Sequence, residues 1–263
     1  MIKGLDHFTK HFADSADDFV VVGGVAAHEI MDFEALPFRA TKDIDLVIIA
    51  RPATAFCQRL VAYLESGKYE IRQNKDGKPT YYRFMKPKEA EYPAQIEIFS
   101  RRPEDLPLAD NQHVVPIGDA PESAALSAIL IEDDYFELVK STMRKIKGLP
   151  VAGTEAIIAL KSRAFNDLTA RRADGDLTAN ADEIRKHRND IFRLSKALSQ
   201  KSTVRLTGLP EIHMNRFLKE IERISAAELK QLFKQFGVSD EPAAWADGMR
   251  RSLIEKPNRT PLV

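Results

Sequence analysis

The period of hydrophobic and polar positions changes along the chain, and the first half is dominated by short alternating or continuous apolar runs. Leu5, Phe8 and Phe12 recur at helical spacing and predict a short first helix. Phe19 to Val22 is continuously apolar and predicts a strand, after which Gly23 and Gly24 turn the chain into a short helix of small residues. A polar turn then leads to Asp43-Ile44-Asp45 at the head of a second apolar strand that runs to Ile49. Pro52 suits the first turn of a helix in which Phe56, Leu60 and Leu64 repeat every four residues, and Gly67 closes it. Residues 69–73 and 80–84 are strand-like runs around Asn74-Lys75-Asp76-Gly77, a hairpin signal. Residues 87–93 read as loop and 94–99 alternate, with Gln95, Glu97 and Phe99 facing one way and Ala94, Ile96 and Ile98 the other. A polar, proline-bearing loop over 101–111 precedes a strand at 113–117 and a helix over 121–131. A strand at 135–141 and a basic strand or loop over 143–151 complete this half.

From Thr154 the pattern is helical almost to the end. Thr154 is a good N-cap and Glu155 complements the positive end of the helix behind it, whose buried stripe is Ile157, Leu160, Ala164, Phe165 and Leu168. A polar linker over 173–182 leads to a helix over 182–198 with Ile184, Ile191, Leu194 and Leu198 inward. Three more helices are predicted over 211–224, 226–236 (stopped by Gly237) and 242–254, before a loose tail over 255–263. The expected fold is therefore α+β: an N-terminal mixed-sheet domain over residues 1–152, followed by a helical domain over 153–263.

Composition narrows the class. With 263 residues, 44% hydrophobic and 30% charged, the chain is of globular type and long enough for one large core or two small ones. Lys+Arg and Asp+Glu are both 39, so no global field favours a polyanion and any such partner needs a local patch. The single cysteine, Cys57, excludes an internal disulfide and suits a reducing compartment. No apolar run reaches the roughly 18 residues of a membrane span, and the first residues, MIKGLDHFTKHF, lack a signal-peptide core. A cytoplasmic protein without a membrane partner is expected.

Chemistry concentrates at the head of the second strand. Residues two apart on a strand point the same way, so Asp43 and Asp45 share one face while Ile44, Leu46 and Ile48 take the other. Two carboxylates about 7 Å apart along a strand can share a divalent cation or bracket two of them. The Gly23-Gly24 corner exposes backbone N–H groups at a helix N-terminus, where phosphate binds. Glu97 interrupts another apolar strand and would join the two aspartates if the strands are neighbours. In the helical half, Lys161 falls on or beside the buried stripe, which asks either for a phosphate or for a snorkelling side chain. Asp190 borders the inner face of its helix, where an N–H or arginine partner is the competing reading. His28 and His187 read as packing residues, and the basic runs 144–147 and 185–188 as solvated faces before they read as RNA-binding surfaces. No Ser–His–Cys triad spacing occurs, and one cysteine cannot make the usual zinc site.

Gly23-Gly24, a short helix, and then Arg39-Ala40-Thr41-Lys42-Asp43-Ile44-Asp45 resembles the nucleotidyltransferase signature of the DNA-polymerase-β superfamily, in particular its AbiEii-type branch. Lys161 and Asp190 match that branch's later lysine and aspartate, so the resemblance covers roughly residues 19–195. It implies Mg²⁺ (or Mn²⁺) on Asp43 and Asp45, with Glu97 as a third ligand. It also implies a nucleoside triphosphate seated on Gly23 and Gly24 with Arg39 and Thr41 beside it, Lys161 closing on the triphosphate, and Asp190 among the catalytic residues. Members often carry serine at the second glycine, and many carry aspartate where Glu97 stands; here those two positions depart. The resemblance further implies the toxin of a toxin–antitoxin pair, with RNA, tRNA included, as acceptor and a cognate antitoxin as partner. Transfer to a small molecule, and a catalytically silent relative that binds nucleotide or a partner protein, are the alternatives.

Overall fold

The structure, a computed structural model, describes residues 2–50, 55–73, 79–101, 114–116, 127–199, 202 and 204–255. The chain divides into two compact units, Met1–Gly153 and Thr154–Val263. The first is a mixed α+β unit. It runs through α1 (Leu5–His11), β1 (Phe19–Val22), α2 (Gly23–Phe33), β2 (Asp43–Ile48), α3 (Ala55–Ser66), β3 (Glu70–Gln73) and β4 (Pro79–Met85). It continues with β5 (Gln95–Arg101), β6 (Val114–Pro116), β7 (Ser127–Ile131), α4 (Asp133–Ser141), β8 (Arg144–Ile146) and β9 (Leu149–Val151).

The described strands form one sheet in the order β3-β4-β5-β2-β1-β9-β8, with β7 on β5 and β6 on β7. Strands β1 and β2 are antiparallel, β2 and β5 parallel, and β4 and β5 antiparallel. One edge of β5 serves two partners: its first residues, 95–97, face β4 and its last, 99–101, face β7. Beneath the sheet, α1, β1 and α3 share an aromatic core in which the Phe19 and Phe56 rings stack at 5.3 Å and Phe8 meets Tyr63 edge-on at 5.6 Å. On α2, Val25, Ala26 and Ile30 are fully buried, so this short helix is pinned along its length and its start is fixed in space.

Two expectations for this half are corrected. Residues 127–131 are strand β7 rather than the end of a helix, and the preceding residues, 121–126, lie outside the described set. A short apolar run such as Ser-Ala-Ile-Leu-Ile reads equally as buried helix or strand, and its partners Phe99 and Val114, remote in sequence, decide the matter. Residues 133–141 form helix α4, not a strand. Tyr135, Phe136, Leu138 and Val139 are the buried set, a paired helical spacing that alternation would have split by facing Glu137 inward. Asp133 and Asp134 lie in its first turn, where they complement the helix dipole. The basic stretch 143–151 is the β8–β9 hairpin, turned by Lys147 and Gly148 at φ of 50° and 83°. Pro52, the Asn74–Gly77 turn, the 102–111 part of the polar loop, His113, Ile117 and the tail beyond Glu255 lie outside the described residues.

The second unit is helical: α5 (Thr154–Ala173), α6 (Ala181–Leu194), α7 (Leu209–Glu222), α8 (Ala226–Phe236) and α9 (Pro242–Leu253). Asn180 caps α6 by accepting from the Asp182 N–H at 2.8 Å, and Gly237 ends α8 in the left-handed region. Phe165 of α5 meets Phe217 of α7 edge-on at 5.1 Å, while Phe192, Phe233 and Trp245 join α6, α8 and α9. The Trp245 indole N–H donates to Ser195 Oγ at 2.9 Å, so the ring is buried without an orphaned donor.

Candidate active site

The sheet register gathers the acidic residues. Because β1 and β2 are antiparallel with Val22 opposite Asp45, the chain leaves β1 beside Asp45 and enters α2 there. Gly23 makes the corner at φ 68°, a backbone shape that side chains resist. A Cβ on Gly23 would lie 1.9 Å from Asp45 Oδ2, so the glycine is needed twice, for its conformation and for the carboxylate packed against it. A Cβ on Gly24 would lie 2.5 Å from Thr41 Oγ1 and 3.7 Å from Arg39 Nη2. The segment before β2 thus folds a hydroxyl and a guanidinium over the second glycine. Helix α2 begins with Val22 as its N-cap, with no side-chain cap and no acidic residue in its first turn. Such a helix end is a poor start by local rules and a good seat for an anion.

The aspartates sit on the polar face of the sheet. Asp43 lies opposite Gln95 and Asp45 opposite Glu97 across the β2–β5 pair, while Ile44, Leu46, Ile96 and Ile98 are fully buried on the other face. Asp43 and Asp45 are half-buried. Glu97 is 7% exposed and its Oε1 accepts from Nη2 of Arg83, which lies directly opposite it on β4. Among the described residues no three His, Cys, Asp or Glu side chains gather as a metal-holding group. The donor set still suits Mg²⁺ or Mn²⁺, because such a hard cation is commonly held by one or two carboxylates together with substrate phosphates. Asp43 and Asp45 would supply the carboxylates, and the α2 N-terminus would offer its N–H groups to the phosphates.

Lys161 and Asp190 belong to the helical unit and meet each other. Lys161 Nζ lies 2.7 Å from Asp190 Oδ2, and Arg193 Nη1 lies 3.3 Å from Oδ1. Lys161 is 5% exposed and Asp190 fully buried, so the lysine does not snorkel to water. His187, on the same helix as Asp190, has its pKa pushed down to about 4 by burial, aided by the positive charges of Lys161 and Lys186. Its Nδ1 is buried with no partner among the described residues. His28 lines a cavity of about 470 Å³ with Glu29, Asp32 and Lys147, away from the glycine corner. The basic runs are largely paired: Lys145 with Asp17 at 3.1 Å, Lys147 with Asp32 at 2.5 Å and Lys186 with Glu183 at 2.9 Å. These pairings favour the charged-face reading over a ready RNA surface.

Sequence reasoning missed Arg83 and Arg193. Arg193 was legible, since it follows Asp190 by three residues on one helix. Arg83 stands out as a charge among Tyr82, Phe84 and Met85, but only the register shows which acid it faces. Neither a family model nor a curated protein matches the sequence. Among solved structures, the chain is similar at 14% identity to the antibiotic-resistance factor ANT(2'')-Ia. That match covers 89% of this chain and all of the other at a TM-score of 0.35.

Proposed function

We propose that the first unit is the catalytic part of a metal-dependent nucleotidyltransferase that moves a nucleoside monophosphate from a nucleoside triphosphate to an acceptor hydroxyl. The observation that carries this reading is the contact between the two halves of the motif: the Asp45 carboxylate fills the space beside Gly23 at the uncapped end of α2. An anion seat and an acidic strand face meeting at one point suit a triphosphate that arrives with its cation. Asp43 and Asp45 would hold Mg²⁺ or Mn²⁺, which when bound supplies charge neutralisation at the reacting phosphate. The α2 N–H groups, Thr41 and Arg39 bind and orient the phosphate chain. The acceptor oxygen attacks the α-phosphorus, the bond to the bridging oxygen breaks, pyrophosphate leaves and the hydroxyl proton passes to water. While Glu97 stays with Arg83, no third carboxylate among the described residues stands ready for that proton, and turnover in that state is expected to be slow.

The motif resemblance supports RNA, tRNA included, as the acceptor, and a place as the toxin of a toxin–antitoxin pair. It also carries Lys161 and Asp190 as functional residues, and within the helical unit Lys161 donates to Asp190. The Arg83–Glu97 contact favours a second reading, a silent relative that binds nucleotide without turning it over.

The test is incubation with α-labelled nucleoside triphosphates and Mg²⁺ in the presence of total RNA, purified tRNA or aminoglycosides. Label is expected in RNA, and Asp45→Asn is expected to lower transfer by about 100-fold or more. Label in an aminoglycoside instead moves the acceptor to small molecules. No transfer together with a nucleotide-dependent rise in melting temperature selects the silent relative. Neither transfer nor stabilisation overturns the reading.

A further inference from the structure

Arg83, Glu97 and Asp45 occupy one row across three neighbouring strands, on the same face as Asp43. Register therefore puts Glu97 between a guanidinium on one side and the aspartate pair on the other. In the fold as it stands, Glu97 goes to the guanidinium: its Oε1 accepts from Arg83 Nη2, and no three-carboxylate group forms among the described residues. The choice is not a matter of reach, since Glu97 is the direct neighbour of both. It is a matter of charge. Without a cation, Glu97 beside Asp45 would set like charges next to each other on a half-buried face, and Arg83 relieves that. Arg83 is itself incompletely satisfied, because its Nε is buried with no partner among the described residues. A guanidinium presents five N–H donors in a fork that matches a phosphate as well as a carboxylate.

We propose that Arg83 competes with the divalent cation for Glu97, and that a triphosphate, by offering Arg83 a second anion, releases Glu97 to join Asp43 and Asp45. This rests on the nucleotidyl-transfer reading of the same site. Arg83 is then a positioning residue: it keeps the third carboxylate off the cation seat until the substrate is there. The device ties completion of the acidic trio to substrate arrival, and it makes the protein's affinity for a bare cation weak. No covalent step is involved, only an exchange of ion partners.

The experiment is Mn²⁺ binding to the full chain, followed by the loss of the free-ion paramagnetic resonance signal, with and without a non-hydrolysable nucleoside triphosphate analogue. Without nucleotide, Arg83→Gln is expected to bind Mn²⁺ several-fold more tightly than the wild type. Arg83→Lys, which keeps the charge, should fall back toward it. The analogue should narrow the gap between wild type and Arg83→Gln, because the triphosphate draws off Arg83 by itself. In a Glu97→Gln background, Arg83→Gln should change Mn²⁺ affinity little. A gain of equal size in that background would mean that only the field of the arginine matters, and the competition for Glu97 would be refuted. Equal Mn²⁺ affinity of wild type and Arg83→Gln, while Asp45→Asn abolishes binding, overturns this inference and leaves the site intact. Mn²⁺ binding that ignores Asp45→Asn brings down the nucleotidyl-transfer reading itself. Melting temperatures of each variant identify any that fail to fold, and Arg83→Lys then carries the comparison with the analogue.

Discussion

Asp45, in the sheet unit, stands half-exposed against a glycine corner at an uncapped helix end. Asp190, in the helical unit, is sealed from water with one oxygen 2.7 Å from Lys161 Nζ and the other 3.3 Å from Arg193 Nη1. The same side chain is used in opposite ways. A carboxylate removed entirely from water must find its cations when the chain folds, because an unpaired buried charge is very costly. One left partly in water keeps solvent as an alternative partner. Glu97 lies between these cases: it is nearly as buried as Lys161 but has Arg83 as a partner that a ligand can displace. Burial thus ranks the acids by how much of their solvation the protein itself must replace.

The largest effect is expected from breaking the sealed pair. Asp190→Ala leaves Lys161 charged inside the helical unit and should cost about 3–5 kcal/mol of stability, read by denaturant unfolding. Replacing both, Lys161→Met with Asp190→Leu, should recover most of that loss. If the double variant is stable and still transfers nucleotide, the pair is architectural. If it is stable and inactive, the lysine and aspartate belong to the reaction. Asp45→Asn should behave inversely, with about 100-fold or more lost from transfer and less than about 1 kcal/mol from stability, since a half-exposed group has water to fall back on.

This contrast was only half legible in the sequence. The spacing of Asp43 and Asp45, the Gly23-Gly24 corner and the helical second half were read from local period and residue type, and the observed β1, α2 and β2 agree. What local pattern cannot supply is register. That Asp45 faces Glu97 and Glu97 faces Arg83 depends on how strands remote in sequence align, and slipping one strand by a residue would reverse every face. The misreadings at 127–131 and 135–141 have the same origin. Both are short apolar runs whose state is decided by what they pack on. Burial depth was equally hidden: Lys161 could be placed near its stripe, but Asp190 as its partner comes from how α5 lies on α6.

A smaller effect should appear with pH in the helical unit. His187 has its pKa held near 4 in the fold against an ordinary 6.5, mainly by burial. Above about pH 7 the ring is neutral in both folded and unfolded chains and contributes nothing to the pH dependence. As pH falls from 6.5 toward 4 the unfolded chain takes up a proton that the folded one refuses, so stability declines through that window and levels off below it. At about 1.4 kcal/mol per pKa unit, and discounted for the ring's partial exposure, the decline should be about 2 kcal/mol. His187→Gln should flatten this component of a pH series of unfolding curves. An unchanged slope would mean that another group supplies it.

The smallest effect tests the open site most closely. A serine at position 24 would supply the hydroxyl that members of the resembled superfamily often carry, yet the space for its Cβ is 2.5 Å from Thr41 Oγ1. Gly24→Ser alone should therefore push Thr41 aside and lower nucleotide affinity, by about tenfold if one phosphate hydrogen bond is lost. Thr41→Ala alone removes the same hydroxyl without crowding and should lower affinity by a similar factor. If Thr41 does from across the corner what a serine would do from within it, the two changes compensate. Thr41→Ala with Gly24→Ser then loses the 2.5 Å clash and keeps a tight 3.3 Å contact with the Cβ at position 41, still presents one hydroxyl over the α2 N-terminus, and should bind nucleotide more tightly than either single variant. Titration of a nucleoside triphosphate analogue against the four proteins measures the coupling directly. Losses that simply add would show that Thr41 packs against Gly24 without serving the phosphate, and the anion seat would reduce to the backbone N–H groups and Arg39.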